Sequence, residues 1–295
     1  MKRNNLNVEV RSLPKGSVTR HAMKKNNYTT LEPASPNNFS ISGVPFDVVN
    51  EIISRLHELA LKSDYVFGSP LGPWQKEGLS FYLSRFVYFG PHTSDDAVRL
   101  AFLAGFDGVD TRGTQALLRF IERLTVIPEI GQGLNLSFFP LVNSYGLYQK
   151  SRAAGQGTSL GRVSWASDLS PEITLLRGDA LLRAYHGFIR IETGEDEEVI
   201  VARMRGLSLG LEYLDRTSLI SSEDTDPFPV RWETENGPAT EGPLTLATDL
   251  PFAPFELTLR LPPTWRDELF DEAVALIIRN FVQRYRATLA HGINL

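Results

Sequence analysis

The chain has 295 residues, of which 42% are hydrophobic and 22% charged, a composition typical of a globular protein. A net charge of -5 argues against a surface built for general nucleic-acid binding, and no apolar run approaches the ~20 residues that a bilayer span requires. The absence of cysteine excludes disulfide bonds, thiolate metal sites and a cysteine nucleophile. We therefore expect no nucleic-acid or membrane partner, and a reducing, cytoplasmic location.

The first part of the chain combines a polar leader with a helix and a strand. Residues 1–44 are polar and rich in Asn, Ser and Pro, which is typical of a poorly ordered or irregular segment. Apolar residues from Val48 to Leu61 then recur at close to helical spacing. The run Leu79–Phe89 is rich in aromatic residues and predicts a strand.

The next stretch predicts a strand–helix–strand unit. Two nearly continuous apolar runs, Val98–Ala104 and Leu134–Val142, have the composition of strands buried on both faces. The segment between them predicts a helix with four apolar residues on one face, namely Leu117, Leu118, Ile121 and Leu124. We expect the connection between the two strands to be right-handed.

The remainder of the chain continues the alternation. Ser170, followed by Pro and Glu, has the features of a helix N-terminus. Gly187–Glu192 and Phe255–Leu261 predict strands, and a long amphipathic helix closes the chain. Residues 215–250 are rich in Asp, Glu, Thr, Pro and Gly, and predict a long irregular insertion.

This alternation of strands and helices predicts an α/β fold, with a mixed, largely parallel twisted sheet and helices on both faces. The strand signals continue from about residue 79 to residue 261. We therefore expect residues 45–295 to form a single domain rather than two.

The turn after the first buried strand carries the most distinctive chemistry. In the stretch GFDGVDTRG, glycines frame Asp107 and Asp110 at the point where the strand passes into the helix. Neither histidine nor cysteine lies beside these carboxylates. Taken alone, an Asp-x-x-Asp turn is usually a helix cap or a solvated charge.

The order of these pieces resembles the zinc carboxypeptidase family and its relatives, the succinylglutamate desuccinylases and aspartoacylases, over roughly residues 79–290. In that family a buried strand ends in a Gly-x-His-Gly-x-Glu type turn whose histidine and glutamate bind zinc. Asp107 stands at the histidine and Asp110 at the glutamate. The same resemblance places Glu192 at the third zinc ligand, a histidine, and Arg260 at the general-base glutamate.

Other family motifs concern substrate binding. The stretch LSFFPLVNSYGLYQKSRAAG resembles the family's Asn-Pro-x-Gly turn with its downstream arginine. Asn143, Gly146 and Arg152 match this motif, while Ser144 replaces the proline. GTSLGRVSW resembles a second motif that ends in Arg162. The resemblance implies substrate-binding roles for Asn143, Arg152 and Arg162, and a ligand that is a peptide C-terminus or another small carboxylate.

The residues that stand at the family's ligand and general-base positions change the chemistry of the implied site. Asp107, Asp110 and Glu192 offer only oxygen ligands, which suit Mg²⁺, Ca²⁺ or Mn²⁺ better than zinc. Because three converging carboxylates repel one another, we expect Arg112 or Arg260 to contact at least one of them. A guanidinium cannot accept a proton at working pH, so Arg260 cannot serve as a general base.

Three interpretations remain open. In the first, which we favour, the chain is a catalytically inactive relative, a pseudoenzyme, in which arginine–carboxylate pairs replace the metal and no cofactor is expected. In the second, it is a metallo-hydrolase of carboxypeptidase or amino-acid deacylase type with a carboxylate-only site for a divalent cation (Zn, Mn or Mg). In the third, the match concerns only the fold and these residues are ordinary surface charges.

Overall fold

The predicted strands form one mixed sheet in the computed structural model, which describes residues 47–94, 97–151, 170–205, 227–233 and 254–292. The predicted leader, residues 1–44, lies outside these ranges. Within them nine strands join the sheet. They are β1 (Val66–Gly68), β2 (Leu71–Lys76), β3 (Leu79–Phe89), β4 (Val98–Leu103), β5 (Leu134–Leu141), β6 (Gly187–Thr193), β7 (Ile200–Arg205), β8 (Val230–Glu233) and β9 (Phe255–Leu261).

The strands lie in the order β1-β3-β5-β4-β6-β9-β7-β8, and β2 pairs with β3. The four central strands, β5, β4, β6 and β9, run parallel. On either side of them, β3 is antiparallel to β5 and β7 is antiparallel to β9. Because the central strands share one direction, their carboxyl ends meet at a single edge of the sheet.

The described residues include five helices and a short 3-10 turn at Pro128–Gly131. The helices are α1 (Asp47–Lys62), α2 (Arg112–Val126), α3 (Ser144–Gln149), α4 (Pro171–Arg183) and α5 (Asp267–Gly292). All of these elements belong to one compact unit, Val44–Leu295. None of the described helices combines the length and apolarity needed to cross a bilayer.

Helices cover both faces of the sheet. On one face, α1, α2 and α5 pack against alternate strand residues that include Leu100 and Ile191. On the opposite face, Ile173 of α4 packs in a second cluster with Leu103 and Phe188. The division follows from the alternation of side chains along each strand. The predicted α/β architecture with helices on both faces is confirmed.

The helix signal at Ser170 is also confirmed. Its hydroxyl accepts a hydrogen bond from the backbone N–H of Ile173 at 3.2 Å, and Pro171 occupies the first helical turn. The helix continues to Arg183, after which Ala184 adopts a left-handed conformation. A local cap and a proline at the first turn therefore define where α4 begins.

Some elements do not follow from the sequence pattern. Strands β1 and β2 are short, and β2 contains Pro73, which removes a backbone donor. Helix α3 has only six residues, too few to display a helical period. The expectation of an irregular insertion over residues 215–250 is wrong for Val230–Glu233, which form β8 against β7.

Candidate site at the carboxyl edge of the sheet

Four of the predicted site residues lie at the carboxyl edge of the central strands. Asp107 and Asp110 follow β4, Glu192 is the penultimate residue of β6, and Arg260 is the penultimate residue of β9. Strand β6 pairs in parallel with both β4 and β9, and Glu192 lies opposite Arg260 in the register. The sheet therefore brings these positions to one edge, where open α/β sheets place their ligand sites.

The loop between β4 and α2 begins at a glycine that has no room for a side chain. Gly105 has a φ of 68°, in the left-handed region that favours glycine. A β-carbon at this position would lie 2.8 Å from both the carbonyl oxygen of Pro140 and Oγ1 of Thr114. Because the backbone passes this close to β5 and α2, the direction in which the loop leaves β4 is fixed.

The next residues of this loop pack against the backbone around α3. A β-carbon at Gly108 would overlap the backbone of Gly146 and Ser151. Asp107 Oδ1 accepts a hydrogen bond from the backbone N–H of Val109 at 2.9 Å. Asp107 thus closes a local turn through its own side chain, which is a common use of aspartate in a turn.

Asp110 is bound on both carboxylate oxygens by Arg112. The backbone N–H of Arg112 donates to Oδ1 at 2.9 Å, and its Nη2 donates to Oδ2 at 2.8 Å. The guanidinium also donates to the carbonyl oxygen of Pro263 at 2.7 Å and lies 5.6 Å from the centre of the Phe270 ring. Burial acts to raise the pKa of Asp110, but hydrogen bonds from Arg112 and Thr193 outweigh it and hold the pKa below its usual range. Asp110 is therefore ionised and its charge is neutralised locally.

The third predicted carboxylate is bound by Arg190, a residue that was not among the predicted site residues. Arg190 Nη2 donates to Glu192 Oε1, and Nη1 donates to Glu256 Oε1 at 3.1 Å. The guanidinium carbon lies 4.4 Å from the centre of the Phe106 ring. Burial acts to lower the pKa of Arg190, but the two carboxylates outweigh it and raise the pKa above its usual value. Arg190 is therefore a permanent positive charge beside the site.

The sequence did contain a signal for this residue. Within β6, Arg190 and Glu192 alternate with apolar residues, and this places both on one face of a central strand. A charged side chain in such a strand requires a partner of opposite charge. The second partner, Glu256, lies 66 residues further along the chain. Its contact with Arg190 therefore depends on the pairing of β6 with β9.

Arg260 binds two carboxylates that were not among the predicted set. Its Nη2 donates to Glu233 Oε2 at 2.7 Å, and its Nη1 lies 3.3 Å from Glu197 Oε1. Glu233 belongs to β8 and Glu197 to the loop before β7. Of the two arginines expected to contact the predicted carboxylates, Arg112 does so through Asp110, whereas the ion pairs of Arg260 connect β9 to neighbouring elements.

Asn143 begins α3 and is fully buried. Its Oδ1 accepts from the backbone N–H of Gly146 at 2.8 Å, and its Nδ2 donates to the carbonyl oxygen of Phe106 at 3.1 Å. Both ends of the amide therefore bind backbone and hold α3 against the site loop. The contact between Asn143 and substrate that the resemblance implies stays a prediction. Arg152 and Arg162 lie outside the described residues.

The residues at the implied ligand positions do not fit a catalytic zinc ion. Zinc sites of that kind take three protein ligands, commonly including imidazole, and keep one position open. Asp107, Asp110 and Glu192 offer oxygen alone, and two of them are bound by Arg112 and Arg190. In the part of the chain that the structure describes, no group of three or more His, Asp or Glu side chains is placed to hold a metal ion.

The sheet order, the two helical layers and the edge site together define an α/β protein with a carboxypeptidase-like fold. A metallo-carboxypeptidase from Burkholderia cenocepacia is similar to 79% of this chain and 68% of its own, with a TM-score of 0.58 and 16% identity. A metallo-carboxypeptidase from Pseudomonas aeruginosa, solved in complex with (2-guanidinoethylmercapto)succinic acid, shares 17% identity at a TM-score of 0.59 and covers 78% of this chain and 67% of its own.

A third similar structure is an aspartoacylase family protein from Mesorhizobium loti, with 14% identity, a TM-score of 0.52, and coverage of 75% of this chain and 68% of its own. No protein-family model and no curated protein matches the sequence. Identities this low establish the fold alone. The fold implied by the resemblance to the carboxypeptidases and aspartoacylases is confirmed.

Proposed function

We propose that this chain is a non-hydrolytic relative of the carboxypeptidase-like proteins, and that it binds a carboxylate-bearing peptide terminus or small acid at the carboxyl edge of its sheet. The observation that carries the proposal is the state of Asp110. At the position of a ligating glutamate, both of its oxygens are bound by Arg112. A metal ion would have to displace these charge-assisted hydrogen bonds before it could bind.

The general-base position supports the same conclusion. Arg260 stands where a metallo-hydrolase of this family would need a carboxylate to take a proton from water. A guanidinium stays protonated at working pH and has no acceptor atom. Its ion pairs with Glu233 and Glu197 give this arginine a charge-pairing role at the sheet edge instead.

The class of ligand follows from the arginines at family positions. Arg152 and Arg162 match motifs whose arginines hold a substrate carboxylate, and an arginine–carboxylate pair is directional because it can form two parallel hydrogen bonds. The similar Pseudomonas aeruginosa protein was solved with a compound that contains a succinic acid group. That compound, succinate and N-acetyl amino acids are therefore suitable probes for this chain.

Hydrolysis is tested by incubating the purified protein with N-acyl amino acids and short peptides, with and without Zn²⁺, Mn²⁺ and Mg²⁺. We expect no turnover above the protein-free control under any condition. The competing hypothesis places a divalent cation on Asp107, Asp110 and Glu192. Turnover that is lost on chelation and in Asp107→Ala would support that hypothesis and contradict ours.

Elemental analysis provides an independent test. We expect no stoichiometric zinc in protein purified without added metal, because oxygen donors paired with arginine do not select zinc. Near-equimolar zinc that co-purifies through gel filtration would contradict the proposal. The measurement does not depend on knowing the ligand.

Binding is tested by calorimetric titration of the same probes into wild type, Arg152→Ala and Arg162→Ala. Loss of a hydrogen bond to a charged group costs about 1.5–3 kcal/mol, so each variant should bind about 10- to 100-fold more weakly. Arg279→Ala, at an exposed position on α5, is the matched control and should bind like wild type. Equal affinity in all four proteins would show that these arginines do not hold the ligand.

A further inference from the structure

Arg190 lies between two carboxylates and under an aromatic ring at the centre of the sheet edge. Its side chain is 10% exposed, compared with 2% for Glu256 and 20% for Glu192. The Phe106 ring lies against the guanidinium at 4.4 Å. One positive charge is thus enclosed with two negative charges, in a place that water reaches poorly.

We propose that Arg190 is a built-in cation that takes the role a divalent ion would otherwise have at this edge, and that Glu192 and Glu256 form a latent cation-binding pair beneath it. The inference rests on the proposed function in one respect, since both hold that the site works without a metal. It goes further in naming the group that replaces the ion and the carboxylates that the group neutralises.

Electrostatics explains why the guanidinium and an ion exclude each other. Two ionised carboxylates at low exposure are costly unless a positive charge accompanies them. Arg190 supplies that charge on a covalent tether, with directed donors to both side chains. A free cation would have to share a poorly solvated space with the guanidinium, where like charges repel strongly. Added divalent cations should therefore not raise the Tm of the wild-type protein.

Geometry explains why the same carboxylates could hold an ion once Arg190 is removed. Glu192 and Glu256 contact different nitrogens of the same guanidinium, so one oxygen of each carboxylate borders the space that this group occupies. Hard cations bind carboxylate oxygen at about 2.3–2.6 Å and accept variable ligand geometry, with water completing the shell. Two carboxylates that border this space, with water as the remaining ligands, are therefore sufficient for weak Ca²⁺ or Mn²⁺ binding.

The test is thermal unfolding of wild type and Arg190→Met, each with and without millimolar Ca²⁺ or Mn²⁺. We expect no cation response in wild type. Removing one member of a buried charge cluster should lower the Tm of Arg190→Met by on the order of 10 °C. Added cation should then raise the Tm of Arg190→Met, by roughly 3–6 °C when its concentration is about ten times its dissociation constant.

Two further variants isolate the carboxylates as the cause. The triple variant Arg190→Met, Glu192→Gln, Glu256→Gln removes all three charges and should be more stable than Arg190→Met alone, with no cation response. Arg203→Met is the matched control, because Arg203 also pairs with a glutamate on the sheet but is 38% exposed. It should lose less stability and should not respond to cations.

A second experiment, which removes the two carboxylates instead of the arginine, tests the proposal if Arg190→Met does not fold. The double variant Glu192→Gln, Glu256→Gln preserves side-chain shape but leaves the buried guanidinium without these two carboxylates. If Arg190 is the charge centre, formate should stabilise this double variant more than it stabilises wild type. An equal response to formate in both proteins would overturn the proposal.

The proposal would also be overturned if divalent cations raised the Tm of wild type as much as that of Arg190→Met, or if folded Arg190→Met showed no cation response. These outcomes are separate from failure of the proposed function. Turnover by wild type would refute the absence of hydrolysis, whereas the thermal responses report only on the charge that Arg190 supplies.

Discussion

Arg260 provides a direct test of whether arginines hold this edge of the sheet together. Its guanidinium lies 2.7 Å from Glu233 and 3.3 Å from Glu197. The side chains of Arg260 and Glu233 are 30% exposed, and that of Glu197 is 8% exposed. The substitution Arg260→Glu would remove two ion pairs and place a third carboxylate beside the other two.

The free energy lost with the ion pairs of Arg260 should lie between the values for an exposed pair and for a buried pair. An exposed ion pair contributes about 0.2–1 kcal/mol, and removing one partner of a buried pair costs about 3–5 kcal/mol. For these half-buried pairs we expect a loss of about 1–2 kcal/mol. Repulsion between like charges near a protein surface adds about 1–2 kcal/mol. Arg260→Glu should therefore lower the free energy of unfolding by about 3 kcal/mol, and the Tm by roughly 6–10 °C.

The assay is urea unfolding followed by tryptophan fluorescence, with Arg260→Gln as the matched control. This control loses the ion pairs without adding a charge, so it should be destabilised by only about 1–2 kcal/mol. The difference between Arg260→Glu and Arg260→Gln then isolates the repulsion. Identical free energies of unfolding for the two variants would refute the electrostatic reasoning.

The pH dependence gives a second check on the same pair. Burial acts to raise the pKa of Glu233, but Arg203 and Arg260 outweigh it and lower the pKa below its usual value. A carboxylate with a lowered pKa stabilises the fold above its unfolded pKa, and that contribution is lost as the pH falls through the folded pKa. The gap between wild type and Arg260→Glu should be widest near neutral pH and should narrow below about pH 4. A gap that stays constant over this range would exclude Glu233 as the partner.

Three further substitutions, one of them with a control variant, test other parts of the site and its scaffold. Arg112→Leu should lower the free energy of unfolding by about 2–3 kcal/mol at neutral pH, because Asp110 loses its charge partner. Since the pKa of Asp110 is lowered, this loss should shrink in acid, and equal losses at pH 7 and about pH 3.5 in urea titrations would contradict the argument. Gly105→Ala should cost about 2 kcal/mol or more by calorimetry, while Gly133→Ala, which has a φ of 71° but open space around the added carbon, should cost only about 1 kcal/mol. Ser170→Ala should cost about 1 kcal/mol in thermal unfolding, and an unchanged Tm would show that the cap of α4 contributes nothing.

Much of the fold could be predicted because its strands are long and clearly patterned. The structure places β3 at Leu79–Phe89 and β9 at Phe255–Leu261, the same limits that the apolar runs indicate. Short elements were missed because three to six residues do not display a period, and β8 lies inside a stretch whose composition indicates a loop. Local composition reports burial only when an element is long enough to average over several side chains.

Part of the candidate site could also be predicted. Asp107 and Asp110 follow a buried strand, and Glu192 and Arg260 lie one residue before the ends of two others, so parallel pairing alone places them at one edge. The assignment of Asn143 to substrate binding stays a prediction, because a motif gives a residue type and a position but not the direction of its amide. In the structure, that amide is engaged by backbone on both sides.

The sequence by itself determined the α/β alternation and the edge of the sheet at which the charged residues gather. Only the tertiary structure decided which arginine neutralises which carboxylate. Arg190 binds Glu256 and Arg260 binds Glu233 across 66 and 27 residues of chain. Such pairs form because neighbouring strands bring distant side chains onto one face, and an ion pair at 3 Å depends on strand register, which no local pattern of residues records.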